Sequence, residues 1–329
     1  PVQTAELLPL DEMRRIVRDL FEPKAWLYWT DFLFHVTLGW AAFVAALWAA
    51  PWPPVQALLY VVCVLAMYRA VIFIHELSHL RRGTFGTFRR VWNLLCGFAV
   101  LVPSYTYSGV HNHHHRRNVY GTRADGEYLP FARRSPWTMV ALVAVGPLLP
   151  ALAALRFIVL TPIGWVSPRV RRWSWERMSS LTLDLSFKRE ASDRDDRGWR
   201  WQEALTFLYG AAAVGLALAG VLPWRVGWLW YLMAFGVFTL NSVRTLAAHC
   251  YRNPGGRTMT VSEQFLDSVD VPGQRLLTAL WAPVGLRYHA THHLFPSMPY
   301  HNLGTAYRRL VRAMPDVYPS ASRRGLWDA

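Results

Sequence analysis

Nine of the twelve histidines fall in three short motifs, His75-Glu-Leu-Ser-His79, His111-Asn-His-His114-His115 and His289-Ala-Thr-His292-His293. Helical positions three and four apart share a face, so each motif can present its rings together. His113 sits about 200° round from His111 and faces away. His249 closes the fourth long apolar segment, at the depth where the second delivers His75. Nine imidazoles (His75, His79, His111, His114, His115, His249, His289, His292 and His293) therefore converge on one rim. A single four- or five-coordinate ion cannot use so many, and imidazole suits first-row metals, so two metals are expected. Iron fits better than zinc: zinc is satisfied by three or four ligands and has no redox chemistry, whereas a nitrogen-ligated iron pair with open positions can bind and reduce O2. His35 and His301 have no partners in sequence and are expected outside the site. Glu76, Asp125, Glu127, Asp267 and Asp270 lie near the motifs, where they could orient ring N–H groups or serve as plain surface or Arg-paired carboxylates.

The elements that must carry these residues are apolar. Of 329 residues 53% are hydrophobic and only 17% charged, too apolar a balance for two soluble globules and too apolar for disorder. The net charge of +14 is almost all arginine and lies mostly outside the apolar runs, which favours an anionic membrane face over nucleic acid. Cys63, Cys96 and Cys250 are scattered, so neither a disulfide framework nor a thiolate zinc site is expected. The segment 1–22 reads as amphipathic, with no cleavable leader. Residues 32–50, 55–74, 204–222 and 226–248 approach the ~20 apolar residues that cross a ~30 Å hydrocarbon layer, and pair into two hairpins. Two stretches read as interfacial or re-entrant: 91–107, short and carrying Pro103, and 138–160, which contains Arg156 and is interrupted by Gly146, Pro147 and Pro150. Segments 167–201 and 250–329 are polar enough for a cap. The expected fold is an all-α integral membrane protein of one domain, 1–329: four transmembrane helices in two hairpins, interfacial or re-entrant helices, and a histidine-rich cap. The two tight turns hold one charge, Arg225, while Arg81, Arg82, Arg89, Arg90, Arg116, Arg117, Arg133, Arg134, Arg171, Arg172, Arg308, Arg309 and Arg312 lie on the other side. By the positive-inside rule the histidine rim is cytoplasmic, on the inner membrane.

At these motifs the chain resembles the integral-membrane fatty acid desaturase and hydroxylase superfamily, whose boxes HxxxH, HxxHH and HxxHH appear at His75 to His79, His111 to His115 and His289 to His293. The stretches Tyr120-Gly-Thr-Arg-Ala-Asp-Gly-Glu-Tyr-Leu-Pro130 and Leu286-Arg-Tyr-His-Ala-Thr-His-His-Leu-Phe-Pro296 look like its bacterial fatty-acid-desaturase branch. The resemblance, over about Phe32 to Leu310, implies a di-iron enzyme that uses O2 and two electrons to attack an unactivated C–H bond of a fatty acid or acyl thioester. Carried over by motif position, it gives one iron His75, His111, His115 and His289, and the other His79, His114, His249, His292 and His293. The family's stearoyl-coenzyme A desaturases carry an Asn four residues before the equivalent of His249; here that position is Thr245, and Asn241 lies eight before, so a metal-bound water would be held differently or be absent.

Desaturation is the leading expectation, with hydroxylation and oxidative decarboxylation to a terminal alkene as alternatives. Arg69 and Arg244 sit inside apolar helices, five or six residues before proposed ligands. Each could snorkel, pair with Asp31, or meet a substrate carboxylate. The first box also satisfies the HExxH of zinc metalloproteases, a rival that leaves the other two boxes without a task. Haem-based electron transfer and metal transport fit poorly with histidines gathered at one rim. No rubredoxin-like CxxC pairs, cytochrome b5 motif or dinucleotide fingerprint is present, so electrons must come from a separate donor, an acidic ferredoxin or rubredoxin with its reductase, steered by the basic face.

Overall fold

The structure is a computed structural model that describes residues 8–49, 51–80, 83–129, 135, 137–184, 186–190, 198–254, 256–323 and 325. Arg81, Arg82, Arg133 and Arg134 of the charge pattern, and Pro130, lie outside the described residues. All regular structure among the described residues is helical, with isolated β-bridges and no strand.

A short amphipathic helix, α1 (Leu10–Val17), buries Met13 and Val17. It precedes a hairpin of two long helices, α2 (Ala25–Trp48) and α3 (Pro53–His79). At 1.5 Å per residue these extend about 36 and 40 Å, enough to cross a bilayer core. Pro53 and Pro54 start α3 where their missing N–H groups have no helical partner to lose. The helices meet closely at Gly39, where a Cβ would lie 2.6 Å from the Met67 side chain.

Helix α4 (Gly86–Trp92) runs through a π-helical turn, Asn93–Gly97, then the chain reverses and returns as α5 (Tyr105–His114). Buried Asn93 ties the two limbs together, accepting the Ser104 N–H at 2.8 Å and donating to its hydroxyl at 3.0 Å. The bend lies among the long helices: the Trp40 and Trp230 indoles donate to the Leu95 and Ala99 carbonyls at 2.9 and 2.7 Å.

The next helical run, α6 (Trp137–Val166), covers the stretch expected to be interfacial or re-entrant. By length and composition it is, among the described residues, one of four helices long and apolar enough to cross a membrane, with α2, α3 and α9 (Trp224–Leu246). Gly146, Pro147 and Pro150 do not break it, because the chain passes through a 3-10 turn at Gly146–Leu148 and a π-helical stretch at Leu155–Leu160. Arg156 is tolerated because it is neutralised. It pairs with Glu203 at 2.5 Å and also donates to the Ser179 and Thr161 hydroxyls. Glu203 belongs to α8 (Gly198–Leu218), the helix formed where a span at 204–222 was expected; it is not among those four. Between them lies α7 (Pro168–Met178), capped by Ser167.

After α9 come α10 (Val261–Asp267), opened by a Thr260–Glu263 capping box, α11 (Arg275–Trp281), α12 (His289–Leu294) and α13 (Tyr300–Ala313). This last third is stitched to the hairpin. The Tyr300 N–H donates to Glu76 at 3.1 Å and its hydroxyl to Asp31 at 2.9 Å. Asp270 forms bridges with Tyr288 and Ser322, and its carboxylate accepts the N–H and hydroxyl of Thr291, inside the third histidine motif, at 3.1 and 2.7 Å.

Candidate metal centre

All nine expected imidazoles come together, in two adjoining groups. His75, His79, His111, His115 and His292 form one; His114, His249, His289 and His293 form the other, each with ligand nitrogens within 4.8 Å of one another. Rings of the two groups touch, with the His115 and His293 centroids 4.4 Å apart. This partition differs from the one carried over by motif position: His79 and His292 join the first group and His289 the second. Helix geometry gives the reason. His75 with His79, His111 with His115 and His289 with His293 are each four apart and point together, so each pair serves one group, while His114 and His292, three along, turn to the other.

The ring nitrogens of each group are close enough together to share an ion. Nε2 contacts of 2.9 Å (His79 to His111) and 3.1 Å (His115 to His111, His292 to His115, His289 to His249, His293 to His289) run through both groups. Nε2 of His75 and of His114 are buried with no protein partner.

The ring orientations come from the outer shell. His114 Nδ1 lies 2.8 Å from Asp125, and His111 Nδ1 lies 3.0 Å from Glu127 and 2.9 Å from the Tyr107 hydroxyl. His249 Nδ1 meets the Tyr120 hydroxyl at 2.8 Å, and that hydroxyl donates to Asp267 at 3.0 Å. These partners assign the proton to Nδ1 and leave the Nε2 lone pairs facing the centre. Burial, reinforced by neighbouring imidazoles, holds His111, His115, His289, His292 and His293 well below the usual imidazole value, keeping them in the neutral, ligating form. Burial would do the same to His114, but Asp125 outweighs it and raises that ring. Glu127 is pushed up to about 7, by burial first, against the pull of His114.

Asp125 and Glu127 thus lie on ring nitrogens of the two groups, and Asp267 on the Tyr120 hydroxyl beside His249. Tyr107, Tyr120 and Ser268 were missed, since nothing in a tyrosine's sequence context announces which ring its hydroxyl will meet. Glu76 does not orient a ring through a hydrogen bond. Its carboxylate lies 3.8 Å from His75 Nδ1 and is occupied by the Tyr28 hydroxyl at 2.5 Å and the Tyr300 N–H. It is therefore not placed as the water-activating Glu of HExxH. Thr245 is buried, its carbonyl accepting from Tyr251, and Asn241 accepts from Arg244 at 3.2 Å. Arg69 makes a two-pronged pair with Asp31 at 2.7 and 2.6 Å, which removes it as a carboxylate receptor. His35 sits on Asp31, His301 accepts from the Lys24 N–H, and His113 lines a surface groove with Arg116, Arg123 and Lys188; none joins either group.

Comparison with known proteins agrees with this arrangement: the family profile described as "Fatty acid desaturase" matches residues 50–324. The chain belongs to the fatty acid desaturase family. A ceramide hydroxylase of Caulobacter vibrioides (strain NA1000 / CB15N) is 41% identical over 319 residues, covering 95% of this chain and 90% of the relative. As a member of the desaturase family the protein is a membrane oxidoreductase that oxidises lipid C–H bonds, and the metalloprotease reading is not favoured.

Proposed function

We propose that the protein is an O2-dependent di-iron lipid hydroxylase acting on the hydrocarbon chain of an N-acyl sphingolipid or a related acyl lipid. The observation that carries the chemistry is the gathering of five and four imidazoles into two touching groups. The similarity to a ceramide hydroxylase moves hydroxylation ahead of the desaturation expected from the motifs. The balance is R–H + O2 + 2e⁻ + 2H⁺ → R–OH + H2O. Two irons, held by His75, His79, His111, His115 and His292 and by His114, His249, His289 and His293, would supply the O2-reducing chemistry.

The protein's own part is to position and to exclude. Asp125, Glu127 and the Tyr120–Asp267 pair lock three rings in the ligating tautomer. The buried aromatic groups Tyr107, Tyr120 and Tyr128 pack round the outer faces of the rings and keep bulk water from them. The distribution of arginine supports a cytoplasmic setting for this rim, on the inner membrane. There a ferredoxin or rubredoxin would deliver electrons, with turnover that falls as salt rises.

The deciding experiment is mass spectrometry of products after supplying purified, iron-loaded protein with ceramides, free fatty acids and acyl thioesters, a donor and its reductase. A gain of one oxygen on ceramide supports the proposal. Loss of two hydrogens would return the assignment to desaturation, and no product from any lipid would overturn it.

A further inference from the structure

Within the stretch 250–329, polar enough overall for a cap, no charged residue occurs from Leu276 to Leu286. This run is too short to cross a bilayer and is bounded by Arg275 and Arg287. The segment that carries it is a closed excursion. Its ends are pinned together, the Val271 N–H donating to the Arg287 carbonyl at 2.7 Å and the Arg287 Nε to the Val271 carbonyl at 3.1 Å. Between those ends α11, seven residues long, travels about 10 Å. The chain then turns back through Val284 and Gly285, both at positive φ, 50° and 74°.

The far end of α11 fixes its depth. The Trp281 carbonyl accepts the Tyr68 hydroxyl at 2.8 Å, and Tyr68 lies inside the membrane-crossing α3, seven residues before His75. That separation is also about 10 Å, so α11 starts near the level of the histidines and ends well inside the span of α3. On the return limb Val284 and Leu286 join the apolar cluster built on α2 and α3.

Backbone that leaves water must find its partners within the protein, and here it does. The Arg287 guanidinium donates to the carbonyls of Pro272, Gly273 and Arg275 at 2.7, 2.8 and 3.0 Å. The buried Thr278 hydroxyl donates to the Gly273 carbonyl at 2.8 Å, and Tyr68 answers the last carbonyl of the helix. The outer face is apolar: Leu276, Leu277 and Leu280 are 87%, 56% and 49% exposed, while Thr278 and Trp281 turn inward. A sheltered backbone with leucines offered outward suits hydrocarbon and not water.

We propose that residues 271–287 form a re-entrant membrane segment, with Leu276, Leu277 and Leu280 facing the acyl chains of the leaflet on the histidine side. Acyl chains are the occupant of this face because the Tyr68 bond sets it at the depth of a membrane-crossing helix. The segment is embedded without crossing. His289, two residues past Arg287, therefore hangs from an element bathed in lipid, and the third histidine motif takes its position from the bilayer as well as from the protein.

The test needs no variant. Wild-type protein in nanodiscs containing a phospholipid with a diazirine on its acyl chain is irradiated, digested with trypsin and mapped by mass spectrometry. Phe34 and Leu58, exposed on α2 and α3, serve as lipid-facing references, and Arg308 on α13 as the reference outside the bilayer. The tryptic peptide Leu276–Arg287 should carry the label as strongly as the peptides of Phe34 and Leu58, with fragmentation placing it on Leu276, Leu277 or Leu280, and the Arg308 region should carry none. Labelled references with a bare Leu276–Arg287 peptide overturn the proposal, whether water or a second copy of the chain covers the face. Unlabelled Phe34 and Leu58 would sink the membrane reading of the whole chain instead. A nitroxide on Leu277→Cys gives a second readout: collisions with O2 should exceed those with a water-soluble nickel chelate, as for Phe34→Cys and opposite to Arg308→Cys, and an Arg308-like response overturns the proposal.

Discussion

Asp125→Asn tests whether the carboxylates behind the rings set metal binding. The Asp125 side chain is buried and fully used: one oxygen accepts from His114 Nδ1 at 2.8 Å and the Gly121 N–H at 2.9 Å, the other from the Glu127 N–H at 3.0 Å. Asparagine has a single acceptor atom. In its better orientation it keeps His114 and Gly121 but sets its NH2 against the Glu127 N–H, leaving a buried donor unmet at about 1–3 kcal/mol. The bond to His114 also falls from charge-assisted to neutral, roughly halving it. The combined loss of about 2–4 kcal/mol divides between stability and ring orientation, and the latter share corresponds to the 10- to 100-fold drop in metal affinity typical of such outer partners. Iron retention titrated with a chromogenic chelator should show one of two irons released at about 10- to 100-fold lower chelator, the iron of the group containing His114, while the five-histidine group holds its own. Release of both irons together at the wild-type chelator concentration, or loss of the five-histidine iron first, would refute the reasoning.

Tyr120→Phe removes the hydroxyl between His249 and Asp267 and should lower affinity in the same four-histidine group about tenfold, with Ser268, 3.4 Å from His249 Nδ1, as partial substitute; chelator titration reads it. Arg69→Gln leaves the Asp31 carboxylate with only the Tyr300 hydroxyl and His35 to answer it, and should lower stability by about 1–3 kcal/mol in a detergent thermal melt while leaving lipid affinities within twofold. Asp270, raised by burial from 3.8 to about 7, binds its proton more tightly folded than unfolded, so wild-type stability should fall as pH rises between about 4 and 7, by up to about 1.4 kcal/mol per unit. Asp270→Asn, which can still serve Thr291 through its oxygen and NH2, should reduce that slope in melts run from pH 5 to 8, leaving the share of Glu127, which burial also raises to about 7; an unchanged slope would assign it to other groups.

The histidine rim was legible because its signal is local: four-residue spacing on a helix decides which rings travel together without knowledge of the fold. Which pairs meet was not legible, because the placement of His292 opposite His79 and of His289 opposite His249 depends on how α12 is hung from Asp270, a contact 21 residues from Thr291. Asp125 and Glu127 were nameable because they follow the second box closely, whereas Tyr107 and Tyr120 carry no charge to betray them. The stretch 138–160 shows a further limit: its helical continuity was not legible. A proline forbids one α-helical hydrogen bond, but a 3-10 or π turn can absorb the defect, and Arg156 finds its counter-charge in Glu203, 47 residues away on another helix. Only the assembled bundle reveals that pairing.

The clasp around the third motif bears on how the protein is born. Tyr318 bonds Thr291, between His289 and His292, while Asp270 holds Ser322 and Arg323. A nascent chain therefore presents its first two boxes to the cell well before the residues that complete either cage have left the ribosome. On the proposed reading a complete cage for metal exists only once the last third of the chain has been made, and a prematurely terminated chain would expose loose imidazoles to whatever divalent ion is at hand.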